Sequence, residues 1–181
     1  MNSGREYRNI ALLGFMGAGK TCVGRLVANK LQFQFIDTDH LIETRAGKPI
    51  PAIFAQEGED AFRALERQIV EELKNLSHTV ISTGGGIGAN PELLASLKTH
   101  ALTFYLWAPP EVIWQRIQGQ QNRPLLQQCP DPQAKIKELL AIREPVYKQA
   151  DVLISTLYRT PAEVAAHVIQ EYLSIISPER T

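Results

Sequence analysis

The octapeptide GFMGAGKT, Gly14 to Thr21, is the strongest constraint in this chain. It fits the pattern G-x-x-x-x-G-K-[ST]. The apolar tetrad Ile10-Ala11-Leu12-Leu13 precedes it, and an amphipathic stretch from Lys20 to Leu31 follows. A strand, a glycine turn and a helix in that order make a cradle for phosphate. Gly17, Ala18 and Gly19 let successive backbone N–H groups face one anion, and the helix start adds partial positive charge. Lys20 is placed to reach β- and γ-phosphates, and the Thr21 hydroxyl suits Mg²⁺. Cys22 follows directly. A thiol at a helix start is open to acidification, but packing against the sheet is the plainer expectation for it.

Four further apolar runs recur: Phe33 to Ile36, Thr79 to Ser82, Leu102 to Leu106 and Val152 to Ile154. Near-continuous apolar runs of this length predict parallel strands covered on both faces. Helical patterns fill the gaps. Lys20 to Leu31 aligns Val23, Leu26, Val27 and Leu31, and Glu57 to Leu76 aligns Phe62, Leu65, Ile69, Leu73 and Leu76. A helical stretch covers Lys135 to Ala150. Asn90-Pro91 and Thr160-Pro161-Ala162-Glu163 read as helix starts, and the last helix is expected to bury Val164, Val168, Tyr172 and Leu173. The alternation predicts one α/β domain of 181 residues with a central parallel sheet. Gln115 to Pro132, rich in Gln, Pro and Arg, is the best candidate for a mobile loop.

Composition removes several classes of function. With 44% hydrophobic and 21% charged residues, wholesale disorder is excluded. Nineteen basic side chains balance nineteen acidic ones, which argues against a generally basic nucleic-acid binder. No apolar run is long enough to span a bilayer, and the opening MNSGREYR has no signal-peptide core. Cys22 and Cys129 lie far apart and the four histidines are scattered, so neither a disulfide framework nor a zinc spacing emerges. A cytoplasmic setting is the simplest expectation. A plastid protein stripped of its transit peptide would look the same.

Asp37-Thr38-Asp39 ends the second apolar run, where ligands bind in open α/β sheets. One carboxylate can hold Mg²⁺ while the other accepts a hydrogen bond from an attacking hydroxyl. Helix capping accounts for one of the two aspartates. Ser82-Thr83-Gly84-Gly85-Gly86 ends the third run. A turn needs one or two glycines, so the third suggests close approach of a ligand, with a flexible turn as the other reading. Arg63, Arg143 and Arg123 are candidate anion contacts, although a lone arginine is usually a solvated side chain and spacing does not show that they converge.

Taken together, GFMGAGKT, DTD, GEDAFR, STGGG, RPLL and REPVY resemble the shikimate kinase family, in that order and over about residues 8–176. The resemblance implies a three-layer P-loop kinase fold of the nucleoside-monophosphate-kinase type. Its five-stranded parallel sheet is flanked by helices, with a substrate-binding segment at about 37–66 and a lid at about 115–128. It implies transfer of the γ-phosphoryl group of MgATP to the 3-hydroxyl of shikimate, on the route to chorismate and the aromatic amino acids. It also implies a monomer with no nucleic-acid or membrane partner.

By the same resemblance Lys20, Asp39 and Arg123 are catalytic, with Asp39 on the shikimate hydroxyls as candidate base. Arg123 is the lid arginine on the transferring phosphate, and Thr21 and Asp37 serve Mg²⁺. Arg63 and Arg143 hold the carboxylate, Gly84, Gly85 and Gly86 form the substrate-contacting turn, and Phe54 and Phe62 are apolar walls. The nucleotide contacts are Gly17, Ala18, Gly19, Lys20, Thr21, Cys22, Arg116, Arg123 and Arg159, with Arg116 and Arg159 beside the adenine. The sequence departs from the family's habit at Thr21, where serine is commoner, and at Cys22, where threonine is frequent. The competing readings are another small-molecule kinase, such as one acting on gluconate, and a noncatalytic nucleotide-binding module.

Overall fold

A computed structural model describes Arg5 and residues 7–119 and 129–177. Five strands form one parallel sheet in the order β2-β3-β1-β4-β5: β1 Asn9–Leu13, β2 Gln34–Asp37, β3 Thr79–Ser82, β4 Ala101–Trp107 and β5 Val152–Ser155. Among the described residues seven α-helices flank it: α1 Lys20–Leu31, α2 Thr38–Ala46, α3 Ile50–Leu73, α4 Pro91–Lys98, α5 Pro110–Ile117, α6 Pro132–Tyr147 and α7 Pro161–Ile176. This is the expected three-layer arrangement. Among the described residues no helix is long and apolar enough to cross a membrane.

The strands alternate their side chains between two cores. Ala11, Leu13, Ile81 and Tyr105 face a cluster built with α2, α3, α4 and α6, through residues such as Ile42, Ile69, Leu94 and Tyr147. Ile10, Leu12, Val80 and Phe104 face the other side, where Val23 and Val27 of α1 meet Val164 and Val168 of α7. β1, at the centre, is buried throughout, whereas the edge strands β2 and β5 are only partly covered. The expectation of cover on both faces therefore holds for the inner strands alone.

Two apolar stripes are rotated from those read in the sequence. In α1 the buried face is Val23, Gly24, Val27 and Ala28, while Leu26 is exposed. Gly24 is the reason: a Cβ there would stand 2.7 Å from the Phe35 ring, so α1 lies against β2 through its smallest residue. In α7, Ala165 is buried and Leu173 is exposed.

The helix starts hold as read. Asn90 Oδ1 accepts from the Glu92 and Leu93 amides at 2.9 and 3.2 Å, and Thr160 and Glu163 form the reciprocal capping box. α3 starts earlier than the periodicity suggested. Glu43 Oε1 accepts from the Ile50 amide at 2.9 Å, and the helix breaks at Gly58 (φ 82, ψ 177) before continuing to Leu73. That backbone region is open essentially to glycine alone. Gln115, Arg116 and Ile117 belong to α5, so the start of the expected mobile segment is helical.

Strand register brings the chemistry to one edge. Leu12 pairs with Ser82, and Asp37 also pairs with Ser82. The turns after β1, β2 and β3 therefore leave the sheet at the same level, at its carboxyl end.

Candidate active site

The turn after β1 is the phosphate loop. Gly17 and Gly19 have φ of 78 and 96, and Gly19 delivers the chain into α1. Lys20 Nζ curls back over the loop and donates to the carbonyls of Gly14 (2.8 Å) and Phe15 (3.0 Å). The buried Ala18 supports the loop from beneath. Cys22 is exposed and lines the cavity beside the loop, so the plainer expectation that it packs against the sheet does not hold.

Asp37 does two jobs. Its Oδ1 accepts from the Asp39 amide at 3.2 Å and caps α2, and its Oδ2 accepts from the Thr21 hydroxyl at 2.7 Å. The hydroxyl and the carboxylate thus form one oxygen pair at the mouth of the phosphate loop, with Ser82 Oγ 3.4 Å from Thr21 Oγ1. Two hard oxygen donors beside a phosphate cradle fit Mg²⁺, which keeps several waters and takes its other ligands from phosphates. Among the described residues no cluster of three or more His, Cys, Asp or Glu is placed to hold a metal.

The turn after β3 is where the distant charges meet. A Cβ on Gly84 would lie 2.1 Å from Asp39 Oδ1, one on Gly85 would lie 3.1 Å from Arg143 Nη1, and one on Gly86 would lie 2.1 Å from Arg63 Nη1. Each of the three consecutive glycines therefore makes room for a different charged side chain, and those three side chains come from α2, α6 and α3. Thr38, buried between Asp37 and Asp39, locks the two turns together: its Oγ1 accepts from the Gly84 amide at 2.7 Å.

Each arginine has its own support. Tyr147, one turn after Arg143 on α6, stacks on Tyr105 and donates its hydroxyl to the Gly85 carbonyl at 3.0 Å. Burial pushes that phenol up to about 12, against the nearby Arg143 guanidinium, so it remains a donor. Arg63 donates through Nη1 to Glu66 Oε2 at 2.6 Å, and through Nε and Nη2 to Glu59 Oε1 at 3.2 and 2.8 Å. Glu66 is buried, and burial raises its pKa even though Arg63 and Arg143 oppose the shift. Phe54 and Phe62 face each other with ring centroids 4.7 Å apart.

These groups line one cavity of about 790 Å³ that runs from the phosphate loop to the glycine turn. Lys20, Thr21, Asp37, Asp39, Arg63, Arg143 and both phenylalanines share it. So do Gly17, Gly19, Gly85, Gly86 and Arg116. Gly84 stands behind Asp39. Arg116 ties the loop after β1 to the turn after β5, donating to the Gly17 carbonyl (3.3 Å) and to Thr156 Oγ1 and O (both 2.9 Å). Arg159 is not on the cavity wall. It is exposed and sits 2.9 Å from His167 Nδ1. Arg123 lies outside the described residues, as does most of the expected lid. Sequence reading missed Thr38, Glu59, Glu66 and Tyr147. For the two acids a signal existed, since positions three and four away from Arg63 on a helix are its neighbours.

Comparison with known proteins places the chain in a family. The family model for shikimate kinase matches residues 16–173. The shikimate kinase of Caldanaerobacter subterraneus subsp. tengcongensis is 45% identical over 168 residues, 93% of this chain and 98% of that protein. The one from Thermodesulfovibrio yellowstonii is 45% identical over 165 residues, 91% and 95% of the two chains. Among solved structures, shikimate kinase from Acinetobacter baumannii in complex with shikimate superposes with a TM-score of 0.87 and 38% identity, covering 97% of this chain and 96% of that one. A gluconokinase from Sinorhizobium meliloti, at 16% identity and a TM-score of 0.62, shares the fold. Over nearly its whole length, then, this chain belongs to the shikimate kinase family.

Proposed function

We propose that this chain transfers the γ-phosphoryl group of MgATP to the 3-hydroxyl of shikimate, giving shikimate 3-phosphate and ADP on the route to chorismate and the aromatic amino acids. The observation that carries this reading is the gathering of Asp39, Arg63 and Arg143 around Gly84–Gly86, in the cavity that the phosphate loop enters from its other end.

Shikimate is a carboxylate bearing three hydroxyls. Arg63 and Arg143 supply planar, permanently charged donors for the carboxylate. Asp39 accepts a hydrogen bond from the reacting hydroxyl and is placed to take its proton. Phe54 and Phe62 cover the ring, and the backbone of Gly84, Gly85 and Gly86 lies close against it.

On the other side, Gly17, Ala18, Gly19 and Lys20 cradle the phosphates, Thr21 and Asp37 hold Mg²⁺ and its waters, and Cys22 borders the nucleotide. Arg116 flanks the adenine; Arg159, which stands off the cavity wall, is left out of that contact. Phosphoryl transfer has a loose transition state, so positioning and charge neutralisation by Lys20, Mg²⁺ and Arg123 matter more than a strong base. A lid at about 115–128 carrying Arg123 excludes water. Residues 1–181 act as one domain, working as a monomer in the cytoplasm.

A coupled assay of ADP release with MgATP, offering shikimate and gluconate separately, tests the reading. ADP release that depends on shikimate supports it. Release with gluconate alone, or tight ATP binding without any acceptor-dependent release, overturns it.

A further inference from the structure

Arg63 is already engaged by two acids of its own helix, and the two acids are unlike. Glu66 is part of the scaffold: its side chain is only 2% exposed, and its Oε2 takes the Nη1 proton at 2.6 Å. Glu59 sits at the rim, with 64% of its side chain exposed, one residue after the break at Gly58. A single oxygen of Glu59 accepts from both Nε and Nη2, the side edge with which a guanidinium grips a carboxylate. Nothing on α3 pins Glu59 there other than this contact, and an exposed ion pair resists displacement weakly.

We propose that Glu59 is a tethered stand-in for the substrate's carboxylate, holding the Nε–Nη2 edge of Arg63 until an incoming acid displaces it. The inference rests on the reading that Arg63 receives the substrate carboxylate. Under it, Glu59 acts through Arg63 and is a positioning residue that sets how tightly the site takes an acid. Glu66 keeps Nη1 fixed throughout, so the guanidinium stays in place while its other edge changes partner.

The test uses the full-length chain with Glu59→Gln and Glu59→Ala, variants at an exposed position whose folding is checked by thermal melting. Shikimate KM, and the shikimate dissociation constant by calorimetry, are expected to fall by about two- to fivefold in both, as removal of a weak competitor requires. The kcat and the KM for MgATP should hold. The methyl ester of shikimate, a neutral probe, should show no such gain. An unchanged or raised shikimate KM in both variants overturns the proposal, and so does an equal gain with the ester. A wild-type chain that releases no ADP with shikimate removes the functional reading and this inference together. An active wild type with an unmoved KM in the variants removes the inference alone.

Discussion

A Cβ placed on Gly84 would stand 2.1 Å from Oδ1 of Asp39 and 3.0 Å from its Cγ. Gly84 has no left-handed φ, so alanine suits its backbone and the conflict is with one short side chain. Gly84→Ala is therefore expected to leave the fold intact and to push Asp39 out of line. Turnover should fall by roughly 10²-fold, the loss expected when a reacting group is misplaced by about 1 Å. Nucleotide affinity should hold. Asp39→Ala should give the same pattern with a larger loss. Steady-state kinetics with a parallel ATP titration decide it: a Gly84→Ala enzyme that turns over at the wild-type rate refutes the placement of Asp39.

The double engagement of Asp37 separates into two measurable parts. Asp37→Asn keeps an oxygen that can cap α2 but loses the charge beside Thr21. It should melt close to wild type while needing several-fold more Mg²⁺ for half-maximal rate. Asp37→Ala loses both functions and should unfold more easily by about 1 kcal/mol, the usual worth of such a cap. Chemical denaturation and Mg²⁺ titration read the two effects independently. Equal Mg²⁺ requirements in wild type and Asp37→Asn would exclude Asp37 from the metal site.

Much of this was legible in the chain because its signals are local. The phosphate loop, the Asn90 cap and the Thr160–Glu163 capping box are set by residues adjacent in sequence, and each appears where the pattern puts it. The resemblance supplied further candidate residues one by one, but not Thr38, Glu59, Glu66 or Tyr147. Periodicity failed where a small residue decided the contact. Leu26 was assigned to the buried face of α1, but Gly24 lets β2 come so near that the helix turns its glycine inward. What no local reading reaches is convergence. Arg63 and Arg143 lie 80 positions apart and meet only because β3 delivers a glycine turn between α3 and α6. Thr38 was equally invisible, since its partner is the Gly84 amide, 46 residues away.

Among the described residues no carboxylate forms an ion pair with Arg143, which is held by the elements around it. Its guanidinium lies 5.6 Å from the Phe15 ring, above the turn that Tyr147 fixes. Arg143→Ala should therefore fold normally and raise shikimate KM by one to two orders of magnitude, roughly the worth of a charge-assisted hydrogen bond to a carboxylate. The KM for MgATP should change little. An unaltered shikimate KM would remove Arg143 from the acid-binding fork.

At the opposite end of the strands, His100 makes stability depend on acid. Asn9, buried, accepts from the Thr79 amide through Oδ1 at 3.1 Å, so its Nδ2 faces the Leu76 carbonyl (2.8 Å) and His100 Nδ1 (3.0 Å). Nδ1 must then be the acceptor, which fixes His100 as the neutral ring protonated on Nε2. A second proton would break the Asn9 bond. Burial, aided by the positive charges of Arg8 and Lys74, holds His100 down at about 4, against 6.5 for an ordinary histidine. The folded state therefore binds fewer protons than the unfolded chain between those values, and stability must fall as pH is lowered through that window. Above pH 6.5 the histidine contributes no slope, and below about pH 4 the loss is complete, reaching about 3 kcal/mol at most. His100→Gln keeps an oxygen to accept from Asn9 but cannot titrate. Urea unfolding at intervals from pH 7 to pH 4 should show the variant losing less stability than wild type across the window. Parallel curves for the two proteins would show that His100 does not carry the acid sensitivity.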